Sequence, residues 1–216
     1  VSLKNRMDLL IGKRESNGVF KGKDHYLLEA IAEADQEKLE ANLKAIGDFR
    51  AKYEKVPVYL ALAPNAANIL SDKLPRFAVT KDQEGMFRSI SQELGEGVAW
   101  VDLSKTLAAH KKEEIYYRTD SHWTTLGAYY ASQQLAESMQ LDGTKTPKWE
   151  KYVVTNIFTG DLSLKSGYQT GYQESIYIYT AKNEKEMPQI VVDAKEGKTS
   201  TLYDRTKLKE MDAYGL

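Results

Sequence analysis

Apolar residues along this chain recur at two spacings, and the alternation between them sets the expected architecture. From Asp35, "DQEKLEANLKAIGDFRAKYEK" places Leu39, Leu43, Ile46, Phe49 and Tyr53 three and four residues apart. That is the period of an amphipathic helix, with Asp35 as its N-cap. "VPVYLALAP", residues 56–64, follows as a nearly continuous apolar run of strand length. Such a run suits an inner strand of a parallel sheet, covered on both faces. The unit then repeats in kind. Residues 82–95 predict a helix with Met86, Phe87, Ile90 and Leu94 on one side and Gly95 at its end. "GVAWVDLS" predicts a second buried strand and "SKTLAAHKKE" a short helix. Trp123, Leu126, Gly127, Tyr130, Ala131, Leu135 and Met139 mark one face of a further helix. Helix alternating with apolar strand predicts an α/β sandwich with a mostly parallel sheet.

The two ends read differently. Residues 3–12 predict the tail of a helix closed by Gly12. "NGVFKGKDHYLLEA" predicts a hairpin pairing Val19–Lys21 with Tyr26–Leu28 around a turn at Gly22–Asp24. From Trp149, "WEKYVVTNIF", "ESIYIYT" and "QIVVDA" are strand-like and separated by turns rich in glycine and lysine. Residues 149–204 are therefore expected as an antiparallel appendage, and 204–216 as a loosely helical or extended tail. The chain reads as a single domain over 1–216: an α/β core with its hairpin at 1–148, and the strand-rich appendage at 149–216.

Composition narrows function more than fold. Thirty basic residues against thirty-one acidic ones leave a net charge of -1, which argues against a nucleic-acid partner. No run reaches membrane-spanning length and no apolar signal segment opens the chain. Val1 is not a natural start, so a targeting segment or a membrane tether outside this sequence is compatible with it. Cysteine is absent, which excludes disulfides, thiolate metal sites and a cysteine nucleophile, and leaves the compartment open. "GKRESNG" lacks the strand-to-helix context of a phosphate loop. With one well-placed histidine, no metal site is expected, nor any other cofactor. His25, in the hairpin, and His110, in a lysine-rich helix, read as solvated.

The segment that carries chemistry is "YYRTDSHWTTLGAYYAS", residues 116–132. A carboxylate two residues before a histidine can accept from one ring nitrogen, fixing the tautomer while the other nitrogen removes a proton. Asp120 and His122 are thus candidate orienter and general base. The competing reading makes Asp120 or Thr124 a helix cap and leaves His122 on the surface. Asn65 follows the first apolar strand, where its amide could donate to a developing oxyanion or its side chain could cap a turn. Tyr117 and Arg118 could hold a carboxylated or acetylated sugar, or make ion pairs and packing contacts.

A resemblance adds to this. "NGVFKGKDHYLLE", "ALAPNAANI", "YYRTDSHWTTLGAYYA" and "TGDLSLKSGY" occur in the same order as similar stretches of the DHHW family of Gram-positive exported proteins. That family in turn resembles the SGNH-hydrolase-like domains of alginate O-acetyltransferases, which carry an Asp-x-His-Trp signature. The resemblance implies a three-layer SGNH-hydrolase-like sandwich, an extracytoplasmic location and a carbohydrate or acylated-sugar partner. It makes the reaction that of an esterase or O-acetyltransferase, with Asp120 as orienter, His122 as base and Trp123 in the site wall. Ser121 stands where the family name places a histidine. A non-catalytic carbohydrate-binding or envelope-assembly module with the same fold is the alternative.

The resemblance also implies a serine nucleophile after the Asp-x-His, at the end of a later apolar strand. Ser132, Ser138, Ser163, Ser166, Ser175 and Ser200 lack that setting. "GDLSL", 160–164, has one residue too many for a Gly-Asp-Ser-Leu box, and in the family it corresponds to a loop. The serine-bearing strand is therefore expected beyond residue 216, with a second chain or the remainder of the same protein completing the sheet.

Overall fold

In the computed structural model, which describes residues 12–141, 149–181, 189–193 and 198–201, the chain opens with three short antiparallel strands. These are β1 (Glu15–Ser16), β2 (Val19–Lys21) and β3 (Leu27–Glu29), with Phe20 opposite Leu28. The expected hairpin is present, its second strand one residue later than expected. The period of two sends its side chains both ways. Val19 and Leu27 pack with Leu162 and Tyr168. Phe20 and Leu28 enter the main core with Leu70, Leu107, Ile115 and Tyr116. Full burial of each such side chain contributes roughly 1.5–3 kcal/mol. The segment expected as a helix before Gly12 and the tail at 204–216 lie outside the described residues.

Helix α1 (Gln36–Lys52) begins where expected, with Asp35 Oδ1 accepting from Lys38 N at 3.2 Å. Its apolar stripe is buried only at Leu43. Phe49 and Tyr53 stay largely exposed and lean on each other with ring centroids 4.9 Å apart. The apolar run after it forms only β4 (Tyr59–Ala61), because Pro57 and Pro64 bracket the run and lack the N–H that a longer ladder needs. Next come α2 (Ala66–Ile69), α3 (Gln83–Leu94, capped by Asp82), β5 (Ala99–Val101) and α4 (Leu103–Ala109). β4 and β5 pair in parallel, Leu60 opposite Trp100.

Helix α5 (Thr125–Ser138) buries Gly127 and Ala131 and turns Leu126 and Tyr130 to the main core, as its spacing predicts. β6 (Trp149–Phe158) then pairs antiparallel with β7 (Glu174–Ala181), and β8 (Gln189–Asp193) with β9 (Lys198–Thr201). Between β6 and β7, residues expected as a loop form α6 (Asp161–Ser166), whose Leu162 fills the outer face of the N-terminal sheet.

The expectation of a mostly parallel sheet is corrected. Among the described residues only β4 and β5 are parallel, and the three other sheets are antiparallel. Pro57 and Pro64 limit the first apolar run to Tyr59–Ala61, and the second pairs with it over only Ala99–Val101. Among the described residues no helix is long and apolar enough to cross a membrane.

Candidate active site

Residues 115–124 double back on themselves. Tyr116 bridges Trp123 in antiparallel fashion, Tyr117 N donates to the His122 carbonyl at 3.2 Å, and Thr124 N to that of Ile115 at 2.9 Å. The loop tip so formed carries Asp120, Ser121 and His122. Thr124 caps α5, its hydroxyl accepting from Gly127 N. With the cap supplied by Thr124, the Asp120 carboxylate turns to the histidine. Asp120 is fully buried, and its Oδ1 lies 2.7 Å from His122 Nδ1. The same oxygen accepts from His122 N at 2.9 Å. A carboxylate only accepts, so Nδ1 carries the proton and Nε2 is the basic nitrogen. The His122 side chain is about half exposed, which leaves Nε2 open to a reacting group.

The second oxygen of Asp120 is held from α6. Oδ2 accepts from Asp161 N at 3.2 Å, and Asp161 Oδ1 accepts from Ser121 N at 3.3 Å. Burial first, and then the neighbouring Asp120 carboxylate, push the Asp161 carboxyl above its ordinary pKa. Gly160 lies flat against Asp120. A Cβ there would collide with Asp120 Cα, Cβ and Oδ2. Thr119, also fully buried, donates its hydroxyl to Glu174 Oε2 at 2.5 Å and accepts from Gly160 N at 2.9 Å.

Sequence reasoning missed Thr119, Gly160, Asp161 and Glu174. "GDLSL" drew attention for its serine, yet its glycine and aspartate are what touch Asp120. Glu174, more than fifty positions from the loop, carried no local signal.

The other expected site residues fall in different places. Tyr117 is buried against Phe158 and Ile176, and burial raises its phenol pKa. Arg118 bonds Glu114 at 3.0 Å and the Tyr172 hydroxyl at 2.9 Å, with its guanidinium 4.5 Å from the Tyr172 ring centroid. Both line a cleft of about 220 Å³ between the loop, the start of α5 and the β6–β7 ribbon. Asp120 and His122 are not among its walls. Trp123 is half-buried, wedged between the main core and the cluster of Val101, Leu103 and Ala131. Asn65 caps α2, its Oδ1 accepting from Ala67 N at 2.7 Å, so an oxyanion role would fall to Nδ2. It adjoins Pro64, whose carbonyl accepts from the Tyr116 hydroxyl at 2.8 Å. His25 stacks on Tyr172, and His110 on Tyr130.

The fold and the loop define an α/β domain with a histidine–aspartate pair of the kind hydrolases and acyltransferases use. The chain belongs to the family described as "SGNH hydrolase-like domain, acetyltransferase AlgX", whose model matches residues 19–209. It is 27% identical over 159 residues to a protein of Pseudomonas syringae pv. tomato described as "Probable alginate O-acetylase AlgJ". That match covers 68% of this chain and 40% of the relative, so the chain spans well under half of the relative's length. A DHHW family protein from Eubacterium siraeum shares the fold with a TM-score of 0.65 at 23% identity, over 78% of this chain and 56% of its own. The O-acetyltransferase domain of Pseudomonas putida AlgJ gives 0.58 at 22%, over 76% and 64%. PatB1 of Bacillus cereus gives 0.61 at 22%, over 82% and 63%. The SGNH-hydrolase-like α/β fold and the DHHW resemblance expected from the sequence are thereby shown.

Proposed function

We propose that this chain supplies the acid–base half of a carbohydrate O-acetyltransferase or esterase site outside the cytoplasm. The observation that carries the reading is the buried Asp120 carboxylate 2.7 Å from His122 Nδ1 on a half-exposed ring. Support comes from the family and from the relative described as an alginate O-acetylase.

In this reading His122 Nε2 takes the proton of a serine hydroxyl as the oxygen attacks an acyl carbonyl. The serine lies outside the described residues. The proton then passes to the departing alkoxide, leaving an acyl-enzyme. In the second half, Nε2 takes a proton from a sugar hydroxyl, or from water in an esterase, that oxygen attacks the acyl carbon, and the departing serine oxygen takes the proton back from Nε2. Asp120 stabilises each imidazolium without itself being protonated. Arg118 contacts the saccharide in the neighbouring cleft, Tyr117 backs the cleft wall, and Trp123 holds the loop against the core.

The test is fluorophosphonate labelling of the natural full-length protein, followed by mapping of the modified residue. Labelling is expected on a serine outside the described residues, with the rate falling about 10²–10⁴-fold in His122→Ala. A rate independent of His122 overturns the base. Modification of Ser163 would place the nucleophile in α6. No labelling at all would favour a carbohydrate-binding module.

A further inference from the structure

Glu174 opens β7 and is 5% exposed, yet among the described residues it has no salt bridge. Its hydrogen bonds run to two residues. Oε1 accepts from Arg118 N, and Oε2 accepts from Thr119 N at 2.7 Å and Thr119 Oγ1 at 2.5 Å. Those residues immediately precede Asp120. Burial raises the Glu174 pKa despite these donors. A buried carboxylate costs stability unless it is well bonded, and an apolar side chain would fill the same space at less cost. What the carboxylate provides instead is a fixed backbone at 118–119.

Thr119 extends the restraint to the other side of Asp120. Its hydroxyl accepts from Gly160 N at 2.9 Å, and its carbonyl from Leu162 N at 3.1 Å. The start of α6 is thereby docked on the loop, which brings Asp161 N to Asp120 Oδ2. From these contacts we infer that Glu174 and Thr119 are positioning residues. Through the 118–119 backbone and the start of α6 they set the Asp120 carboxylate, and with it the His122 imidazole, in the geometry that proton transfer needs. This rests on the reading of His122 as base. Both act through Asp120: Thr119 is fully buried, and Glu174 spends its two carboxylate oxygens on the 118–119 segment while meeting the cleft with only 5% of its surface.

The experiment uses the natural full-length protein, ¹⁵N-labelled, with Glu174→Gln, Thr119→Val and Thr119→Ser. Glutamine at 174 turns an amide donor toward a backbone N–H, valine at 119 removes the hydroxyl at nearly constant shape, and serine keeps it. Two readouts are followed: the low-field proton resonance of His122 Nδ1–H and the fluorophosphonate labelling rate. Glu174→Gln and Thr119→Val should lose or broaden the resonance and slow labelling about 10–100-fold. Thr119→Ser should keep the resonance and stay within about twofold in rate. A native amide spectrum with unchanged resonance and rate in Thr119→Val overturns the inference. So does a Thr119→Ser variant as impaired as Thr119→Val, or a Thr119→Val chain that no longer folds, since either makes the role purely structural. If His122→Ala leaves labelling unchanged, the base reading fails by itself. The Nδ1–H resonance then still decides whether Glu174 and Thr119 hold Asp120 against the ring.

Discussion

Replacing Gly160 by alanine isolates the close approach between α6 and the acid. The backbone there, φ -83° and ψ -179°, suits alanine, so any penalty is steric. The added Cβ would overlap Asp120 Cα, Cβ and Oδ2, and the first two cannot give way without moving the loop backbone. Overpacking of this kind costs about 1–3 kcal/mol, while the stiffer unfolded chain returns about 0.4–1 kcal/mol. The net loss is then about 1–2 kcal/mol, and at about 2–4 °C per kcal/mol for this chain length Tm should fall by about 2–8 °C. Gly47→Ala is the matched control. It lies on the exposed side of α1 with nothing within 4 Å of an added Cβ. It should gain about 0.5–1 kcal/mol from helix propensity. Calorimetry and urea titration read both variants. A Gly160→Ala protein as stable as the parent, or a Gly47→Ala protein that loses as much, would refute the packing argument.

Because burial raises the Glu174 pKa above its ordinary 4.5, its contribution to stability is present below that value and is lost as pH rises through the folded-state pKa. The stability advantage of the parent over Glu174→Gln should therefore narrow from pH 4 toward neutrality in urea titrations. A gap that widens with pH contradicts the sign. Ser104 Oγ is buried with no hydrogen-bond partner among the described residues. Ser104→Ala should raise stability by about 1 kcal/mol, and a lower urea midpoint would show a partner that the alanine removes.

Much of the fold was legible because its signals are local. Asp35 and Asp82 cap the helices they were expected to open, and Gly95 ends α3. The hairpin at Val19–Lys21 follows from turn residues between short apolar runs. Legibility failed where tertiary context decides. "VPVYLALAP" has the texture of an inner strand, but its prolines limit the ladder to Tyr59–Ala61. The stripe of α1 has the right period, yet whether Phe49 and Tyr53 are covered depends on what the rest of the chain places opposite them. The same division runs through the site. Asp120 and His122 stand two residues apart, a spacing that carries its own chemistry. Glu174 and Gly160 matter only because folding returns β7 and α6 to the loop, and no spacing along the chain encodes that return.

That return also fixes an order of events during synthesis. Asp120 and His122 leave the ribosome roughly 50 residues ahead of Glu174, a lag of about 3–10 s at ordinary elongation rates. The N-terminal sheet waits as well, since Ser16 Oγ donates to the Ser166 carbonyl and Asn17 Nδ2 to that of Lys165. A nascent chain ending before α6 has every residue of the dyad and none of the later groups that lock it. The peptide bond after Arg118 should then yield readily to trypsin on stalled ribosomes, and become resistant only once Glu174 has cleared the exit tunnel. Resistance in shorter chains would mean that the loop holds its shape unaided. Otherwise His122 stays without a fixed partner until β7 has been made.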